Sequence, residues 1–183
     1  MTAARTVWAS EILRVWFHDL SSNDWYDASD DTDAMLARYF AGTLQKLRNR
    51  PPGDFLRSPQ IALAAIVLFD QIPRNLHRGS SRAYEYDYLA RAITHGLIDR
   101  GWLAKFDRHE RQFALMPLMH SENIFDQRLS LAFFARFVPS ALPFARSHWR
   151  MIARFGRFPH RNSALGRTTS KVEQRAIDAG FSW

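Results

Sequence analysis

The chain has 183 residues, of which 46% are hydrophobic and 23% are charged, a balance typical of one soluble globular domain, expected to cover residues 1–183. It contains no cysteine, which excludes disulfides and thiolate metal sites and fits the reducing cytoplasm, where we expect the protein to reside. The net charge of +7 comes from residues 128–183, which carry ten basic and two acidic side chains, so anionic partners are favoured.

Apolar residues recur at helical spacing along most of the chain, and no stretch alternates as a strand would. The pattern predicts an all-α protein of about eight helices on short links, arranged as antiparallel neighbours in a bundle or in stacked helical hairpins. The predicted helices cover residues 7–20, 33–48, 60–69, 85 or 87 to about 101, 108–120, 123–138 and 139–155, with a short C-terminal helix opened by a capping box at residues 170–173.

The segment 61–69 is an uninterrupted apolar run of nine residues. A helix without a polar face is buried all round, so we expect this segment to be the central helix of the fold. The run is too short to span a bilayer, and the polar N-terminal segment lacks the apolar region of a signal peptide, so no membrane association is predicted. Pro73 disfavours helix at Ile72, so the backbone should bend or break there.

A first dense polar block follows this helix directly. Asp70 and Arg74 are four residues apart, so on a continuing helical turn they share a face and form an ion pair, and Arg78 lies a further turn along. Such a group is suited to clamp a carboxylate or a phosphate, with Gln71 and Asn75 as additional ligand-binding side chains. The alternative is a buried ion pair that only fastens the helix end to its neighbours.

A second polar block, residues 154–162, follows the last long helix. The arginines that lead into it recur at helical spacing and predict one cationic stripe: Arg146, Arg150, Arg154 and Arg157. The loop beyond the helix carries His160, Arg161 and Asn162, which offer a base and ligand-binding donors. A solvated face, the negative end of the helix dipole or a GC-rich genome would each account for the arginines, but not for His160 or Asn162.

A third polar group lies between two predicted helices. His120 and Glu122 offer a base and a carboxylate close in space. Glu122 and Asp126 are four residues apart and would share a face of the next helix. Plain helix capping by the same segment is the alternative. His148, on the apolar side of its helix, is predicted to be a core residue.

None of the established site motifs is present. Asp70, His120, Glu122 and His160 offer metal-binding atoms, but they lack a dedicated ligand spacing such as His-Glu-x-x-His. There is also no nucleophile elbow, no glycine-rich phosphate loop and no dinucleotide fingerprint. We therefore predict neither a metal nor a tightly bound cofactor.

In these blocks the chain resembles a bacterial family known as domain of unknown function 924. The resemblance covers most of the chain, from Trp16 to about Glu173, and its motifs are residues 70–75 with 78–79, residues 120–122 with 127, and residues 154–162 with 165–167. Each motif alone is unspecific, whereas together they are highly specific. The resemblance implies an all-helical fold similar to tetratricopeptide-like stacks of helical hairpins, and it implies no activity.

Two functions of different classes remain open. In the first, the three blocks converge on a pocket for a small anionic ligand, whose charge is held by arginines: Arg74, Arg78, Arg157 and Arg161. If the pocket is catalytic, His120 or His160 is the acid or base. Glu122 or Asp70 then orients that histidine, and the reaction is a cofactor-free hydrolysis or group transfer. In the second, a tetratricopeptide-like scaffold binds an acidic peptide or protein partner. Nucleic acid is a less favoured partner, because no recognised module accompanies the positive charge.

Overall fold

The computed structural model describes residues 7–27 and 29–181. Within these ranges it contains no strand and ten α-helical segments, which form nine helices because two of the segments are continuous. The α-helical segments are α1 Val7–Arg14, α2 Ser22–Tyr26, α3 Asp30–Leu47, α4 Pro59–Ile66, α5 Ile72–Leu76, α6 Asp87–Asp99, α7 Arg108–Met119, α8 Ile124–Phe137, α9 Leu142–Phe155 and α10 Lys171–Asp178. A π-helical turn, Val67–Gln71, joins α4 to α5, so these two segments form one continuous rod. The predicted all-α fold is confirmed.

The apolar rod is buried, as its composition predicts. Ser58 caps α4, and Pro59 occupies the first turn, where no intrahelical donor is needed. The side chains of residues 62–69 are all 0% exposed, and α1, α6 and α7 pack around α4. The polar residues at the far end of this run, Asp70 and Gln71, are therefore carried into the interior.

Pro73 does not interrupt the rod, so of the bend or break predicted at Ile72, the break does not occur. Ile72 has helical dihedrals, φ −56° and ψ −43°, and its N–H donates to the carbonyl of Val67, five residues earlier. This π-helical turn widens the helix just before the proline and accommodates a ring that would clash with a regular α-helical turn. Asp70 lies in the widened turn, a type of turn that is frequent at functional sites.

One helix starts earlier than predicted. α3 begins at Asp30 because Ser29 caps it, with its hydroxyl accepting a hydrogen bond from the N–H of Thr32. Three acidic residues in its first turn interact favourably with the positive end of the helix dipole and so stabilise the start of the helix. The capping box predicted at the start of α10, Ser170 with Glu173, is confirmed.

The C-terminal half arranges the other polar blocks around the end of the rod. α7 packs on α8, α8 packs on α9, and the short link between α7 and α8 holds His120. α9 is followed by Gly156, whose φ of 69° is a conformation that glycine adopts without strain. A second, smaller core joins α9, the loop that follows it and α10: Met151, Ile152, Phe158 and Ala176.

No helix in the described ranges combines the length and the apolar character needed to cross a bilayer. Residues 1–6, on which the signal-peptide prediction partly depended, lie outside those ranges. The tetratricopeptide-like repetition implied by the resemblance stays a prediction.

Candidate functional site

The buried end of the rod meets the end of α7 through an aspartate–histidine pair. Asp70 is fully buried in the π-helical turn, and His120 is the residue at which α7 ends. The imidazole Nδ1 of His120 lies 2.9 Å and 3.0 Å from the two carboxylate oxygens of Asp70. Gln71 donates to the same carboxylate, and the guanidinium of Arg74 lies 3.4 Å from it. The predicted Asp70–Arg74 pair is confirmed, and the first and third polar blocks meet here.

The surroundings keep this carboxylate ionised and this imidazole neutral. Burial alone would raise the pKa of Asp70, but the charge of Arg74 and the contacts with His120 and Gln71 outweigh it and lower the pKa well below its usual range. Burial lowers the pKa of His120, and the attraction of Asp70 offsets only part of that effect. Because an ionised carboxylate only accepts hydrogen bonds, Nδ1 carries the proton and the lone pair of Nε2 is free to act as a base.

A second carboxylate, that of Asp87 in the first turn of α6, connects two arginines. Arg74 donates to its two oxygens at 2.9 Å and 3.0 Å, and Arg161 lies 3.4 Å from one of them. The guanidinium of Arg161 is also held between two aromatic rings, 4.6 Å from the centre of Tyr84 and 4.5 Å from that of Phe158. Asp87 thus joins the first and second polar blocks.

Arg161 is a buried cation with incomplete compensation. Only 6% of its surface is exposed, and burial, together with the charge of Arg74, lowers its pKa. Its partner Asp87 already binds Arg74 at shorter distances. In addition, the Nε–H of Arg161 has no acceptor among the described residues. A buried charge and a buried donor are both costly when unsatisfied, so this position favours an additional anion.

Glu122 fastens the loop after α9 to the link between α7 and α8. Its Oε1 accepts hydrogen bonds from the N–H of Phe158 and from the guanidinium of Arg167, both at 2.9 Å. Burial opposes its ionisation, but these hydrogen bonds and the charge of Arg167 lower its pKa. Of the two carboxylates predicted to orient a histidine, Asp70 contacts His120, whereas Glu122 is engaged elsewhere.

Two further histidines lie next to the ring of Phe158. The ring centre of His148 is 6.0 Å from that of His120 and 5.5 Å from that of Phe158, and His160 is 5.7 Å from Phe158. Burial lowers the pKa of His148 to about 3 and that of His160 to about 4, and neighbouring positive groups add to both effects. His148 is a buried residue, as predicted, but it also adjoins the site.

An open cleft of about 260 Å³ lies beside the link between α7 and α8. The charged and histidine side chains in its lining are Asp87, Arg91, His120, Glu122, Arg161 and Arg167. Three guanidiniums and two carboxylates give this lining a net positive charge while His120 is neutral. Of the two histidines predicted to be catalytic, His120 lines the cleft and His160 does not. Within the described part of the chain, no cluster of three or more His, Asp or Glu is arranged to hold a metal ion.

The structure does not bring Arg78 and Asn75 to the cleft. Arg78 forms a bidentate pair with Asp33 of α3 at 2.6 Å and 3.0 Å, and it also donates to Asn75. Because α3 packs against α5, these contacts fasten two helices to each other. The predicted alignment of Arg78 with Asp70 and Arg74 is therefore wrong.

Arg157 does not continue the predicted cationic stripe, because α9 ends at Phe155 and the chain changes direction at Gly156. Instead Arg157 donates to both carboxylate oxygens of Glu173, at 2.7 Å and 3.1 Å, and so holds α10 against the loop. Asn162 is fully buried in the same loop, and its amide donates to the hydroxyl of Thr169.

Asp126 and Glu122 do not share a helix face, contrary to the prediction. Glu122 precedes Asn123, the residue that caps α8, so it lies outside the helix. Asp126 accepts a hydrogen bond from the hydroxyl of Ser121 at 2.7 Å and lies 2.8 Å from Nε2 of His95. The two carboxylates consequently belong to separate networks.

Seven of the ten lining residues are absent from the site predicted from the sequence, and four of these seven carry a charged or aromatic side chain: Tyr84, Asp87, Arg91 and Arg167. Asp87 is treated there only as the start of a helix, and Arg167 only as part of a family motif. A signal for Asp87 did exist in the charge balance, since Arg74 and Arg161 outnumber Asp70 and need a further carboxylate when they are buried.

The fold and the site define an all-helical protein with a buried Asp–His pair and a buried arginine beside a small polar cleft. A family model described as bacterial protein of unknown function, DUF924, matches residues 12–180, and the chain belongs to this family, as predicted. A solved structure of a protein of unknown function from Agrobacterium tumefaciens is 30% identical to the chain, with a TM-score of 0.89, and the match covers 98% of this chain and 100% of that one. No curated protein matches the sequence significantly.

Proposed function

We propose that the cleft binds a small anionic molecule, a carboxylate or a phosphate, and that His120 acts on it as a general base or acid. The observation that carries the proposal is Arg161, a buried guanidinium in the lining whose charge and Nε–H lack full compensation. An oxyanion placed against Arg161 would satisfy both needs through a charge-assisted hydrogen bond. Arg167, which is partly exposed at the same cleft, would supply a second cation.

The Asp70–His120 pair suits proton transfer. Asp70 holds the imidazole with Nδ1–H towards the carboxylate, which leaves Nε2 to take up a proton. In a hydrolysis, His120 takes a proton from water while the water oxygen forms a bond to the carbonyl carbon or phosphorus of the ligand. The bond to the leaving group then breaks, and the leaving group receives the proton from His120. In group transfer, a hydroxyl of a second substrate takes the place of water.

Binding is tested by urea and thermal unfolding in the presence of inorganic phosphate, pyrophosphate, acetate and phenyl phosphate. A probe at a hundredfold its dissociation constant is expected to stabilise the protein by about 2.7 kcal/mol. Arg161→Gln should remove most of this stabilisation. Arg146→Gln is the matched control, because Arg146 is exposed on α9 and lies outside the cleft lining.

Because Arg161 is buried, its variant is paired with Arg167→Gln, which alters a partly exposed side chain. That variant should fold and should also weaken binding. Equal stabilisation of the wild type and both variants would place the ligand elsewhere and overturn the proposal.

Catalysis is tested separately from binding. With phenyl phosphate and phenyl acetate as probes, His120→Gln should lower kcat by about a hundredfold or more while ligand-induced stabilisation persists. Turnover that is unchanged in His120→Gln would remove His120 from the reaction.

An acidic-peptide scaffold is the competing function. It is favoured by Arg146, Arg150 and Arg154, which are exposed along α9 and form no ion pair within the described residues. A hexaglutamate peptide that binds independently of Arg161 and Arg167 would support the scaffold over the cleft. An oligonucleotide whose affinity falls steeply with salt would instead indicate nucleic-acid binding.

A further inference from the structure

A second concave surface lies between α9 and α10, away from the Asp70–His120 pair. This groove has a volume of about 550 Å³, within the range of small-molecule sites. Apolar side chains form much of its lining, and two of them, Met151 and Ala176, belong to the smaller core. Phe181 packs against the same core and also lines the groove.

Three arginines line the same groove: Arg150 and Arg154, one turn apart on α9, and Arg175 on α10. All three are exposed, and none forms an ion pair within residues 7–27 and 29–181. The two acidic residues of the last third are engaged elsewhere, because Glu173 binds Arg157 and Asp178 accepts a hydrogen bond from Gln174. The groove therefore combines an apolar surface with three arginines that form no ion pair in the part of the chain that the structure describes.

We propose that this groove binds a small anionic amphiphile, in which a carboxylate or phosphate head is attached to an aliphatic body. The body would cover the apolar lining, whose burial is favourable in proportion to the area removed from water. The head would lie among the three guanidiniums, whose planar forks match carboxylate and phosphate oxygens. Nucleic acid would use the cations but not the apolar lining. The groove shares no lining residue with the cleft at His120.

Isothermal titration calorimetry tests the proposal with decanoate and decyl phosphate, both kept below the concentrations at which they form micelles. Comparing these two probes shows which head the groove prefers. Acetate and inorganic phosphate supply the head without the body, and decylammonium supplies the body with a cation. We expect binding of at least one anionic amphiphile and no binding of decylammonium or of the heads alone.

Variants locate the binding. Arg150→Gln and Arg154→Gln should each weaken affinity about two- to fivefold, as expected for partly solvated ion pairs. Arg146→Gln, on the same helix but outside the groove lining, should leave affinity unchanged. Ala179→Leu places a larger apolar side chain in the lining at an exposed position and should obstruct binding without changing the charge.

Three results would overturn the proposal. Decylammonium could bind as tightly as decanoate, which would mean that the arginines do not select the ligand. The groove variants could match Arg146→Gln in affinity, which would place the amphiphile elsewhere. A single-stranded oligonucleotide or hexaglutamate could bind more tightly than decanoate with the same dependence on Arg150 and Arg154, which would assign the groove to a polyanion.

Discussion

At the scale of single residues, the site depends on buried charges that are paired with charges of opposite sign. Asp70 balances Arg74 and orients His120, and Asp87 serves both Arg74 and Arg161. A buried charge that loses its partner is strongly destabilising, because the remaining charge has neither water nor a counter-ion. The surface pair of Arg78 with Asp33 has similar chemistry but better access to water, so it provides a natural comparison.

Replacing Asp70 with Asn should lower the free energy of unfolding by about 3 kcal/mol, the cost typical of breaking a buried pair. Urea unfolding at pH 7 measures the change. Asp33→Asn is the matched control and should cost less than about 1 kcal/mol, as exposed pairs do. Equal losses in the two variants would mean that burial does not strengthen the dependence on Asp70.

The same variant should also lower the pKa of His120. The charge and hydrogen bond of Asp70 favour the imidazolium and partly offset burial, so their loss leaves burial and the charges of Arg74 and Arg161, all of which lower the pKa of His120. Titration of the imidazole nitrogens by NMR measures the shift. A rise in this pKa would contradict the role assigned to Asp70.

At the scale of elements, α10 is held by a small core and one charged contact. Ala176 supplies the core contact, and the bidentate pair of Glu173 with Arg157 supplies the charged one. The hydrogen bond from Arg157 is the main reason that the pKa of Glu173 falls to about 2, from an ordinary value of 4.5. Because the folded pKa is the lower one, this contact contributes stability above pH 4.5 and loses it as the pH falls towards 2.

Glu173→Gln should therefore destabilise α10 at pH 6 and have little effect near pH 2. Hydrogen exchange of the α10 amides at several pH values measures this local opening. Asp178→Asn, on the same helix but exposed, is the matched control and should stay within about 0.5 kcal/mol of the wild type. If the difference in the opening free energy of α10 between Glu173→Gln and the wild type grew as the pH fell, the contribution assigned to this contact would be contradicted.

At the scale of the whole molecule, buried neutral histidines link folding to pH. The pKa values of about 3 for His148 and about 4 for His160 lie below the ordinary value of 6.5. The unfolded chain therefore binds more protons than the folded one between pH 6.5 and these values. The stability that comes from keeping these histidines neutral is fully present above pH 6.5 and is lost as the pH falls through this window. There, each histidine lowers the free energy of unfolding by up to about 1.4 kcal/mol per pH unit.

His148→Gln should reduce this slope by about 1.4 kcal/mol per pH unit between pH 6 and pH 4, the amount expected for one proton. Glutamine can still donate to the carbonyl of Phe144, which His148 contacts at 2.9 Å. Free energies of unfolding from urea titrations across this pH range measure the slope. An unchanged slope would show that His148 does not take up a proton on unfolding.

Features that depend on interactions between residues close in sequence were predicted correctly, whereas a feature that depends on tertiary packing was not. The apolar run 61–69 identifies the central helix, because the burial of a helix is encoded in its own periodicity. Ser170 with Glu173 identifies the start of α10, because a capping box is a local hydrogen-bond pattern. Of the bend or break predicted at Ile72, the break does not occur, because tertiary packing stabilises a π-helical turn where propensity alone favours a helix end.

The sequence by itself determined the all-α class, the family, the central helix and the fact that polar blocks stand at helix ends. Tertiary structure alone decided the partners: Arg161 reaches Asp87, while Arg78 and Arg157 are taken by Asp33 and Glu173. The physical reason is that periodicity states which face of a helix is buried, whereas a pair across 74 residues of chain depends on how the helices cross. Helix crossing is set by the packing of all side chains in the interface together.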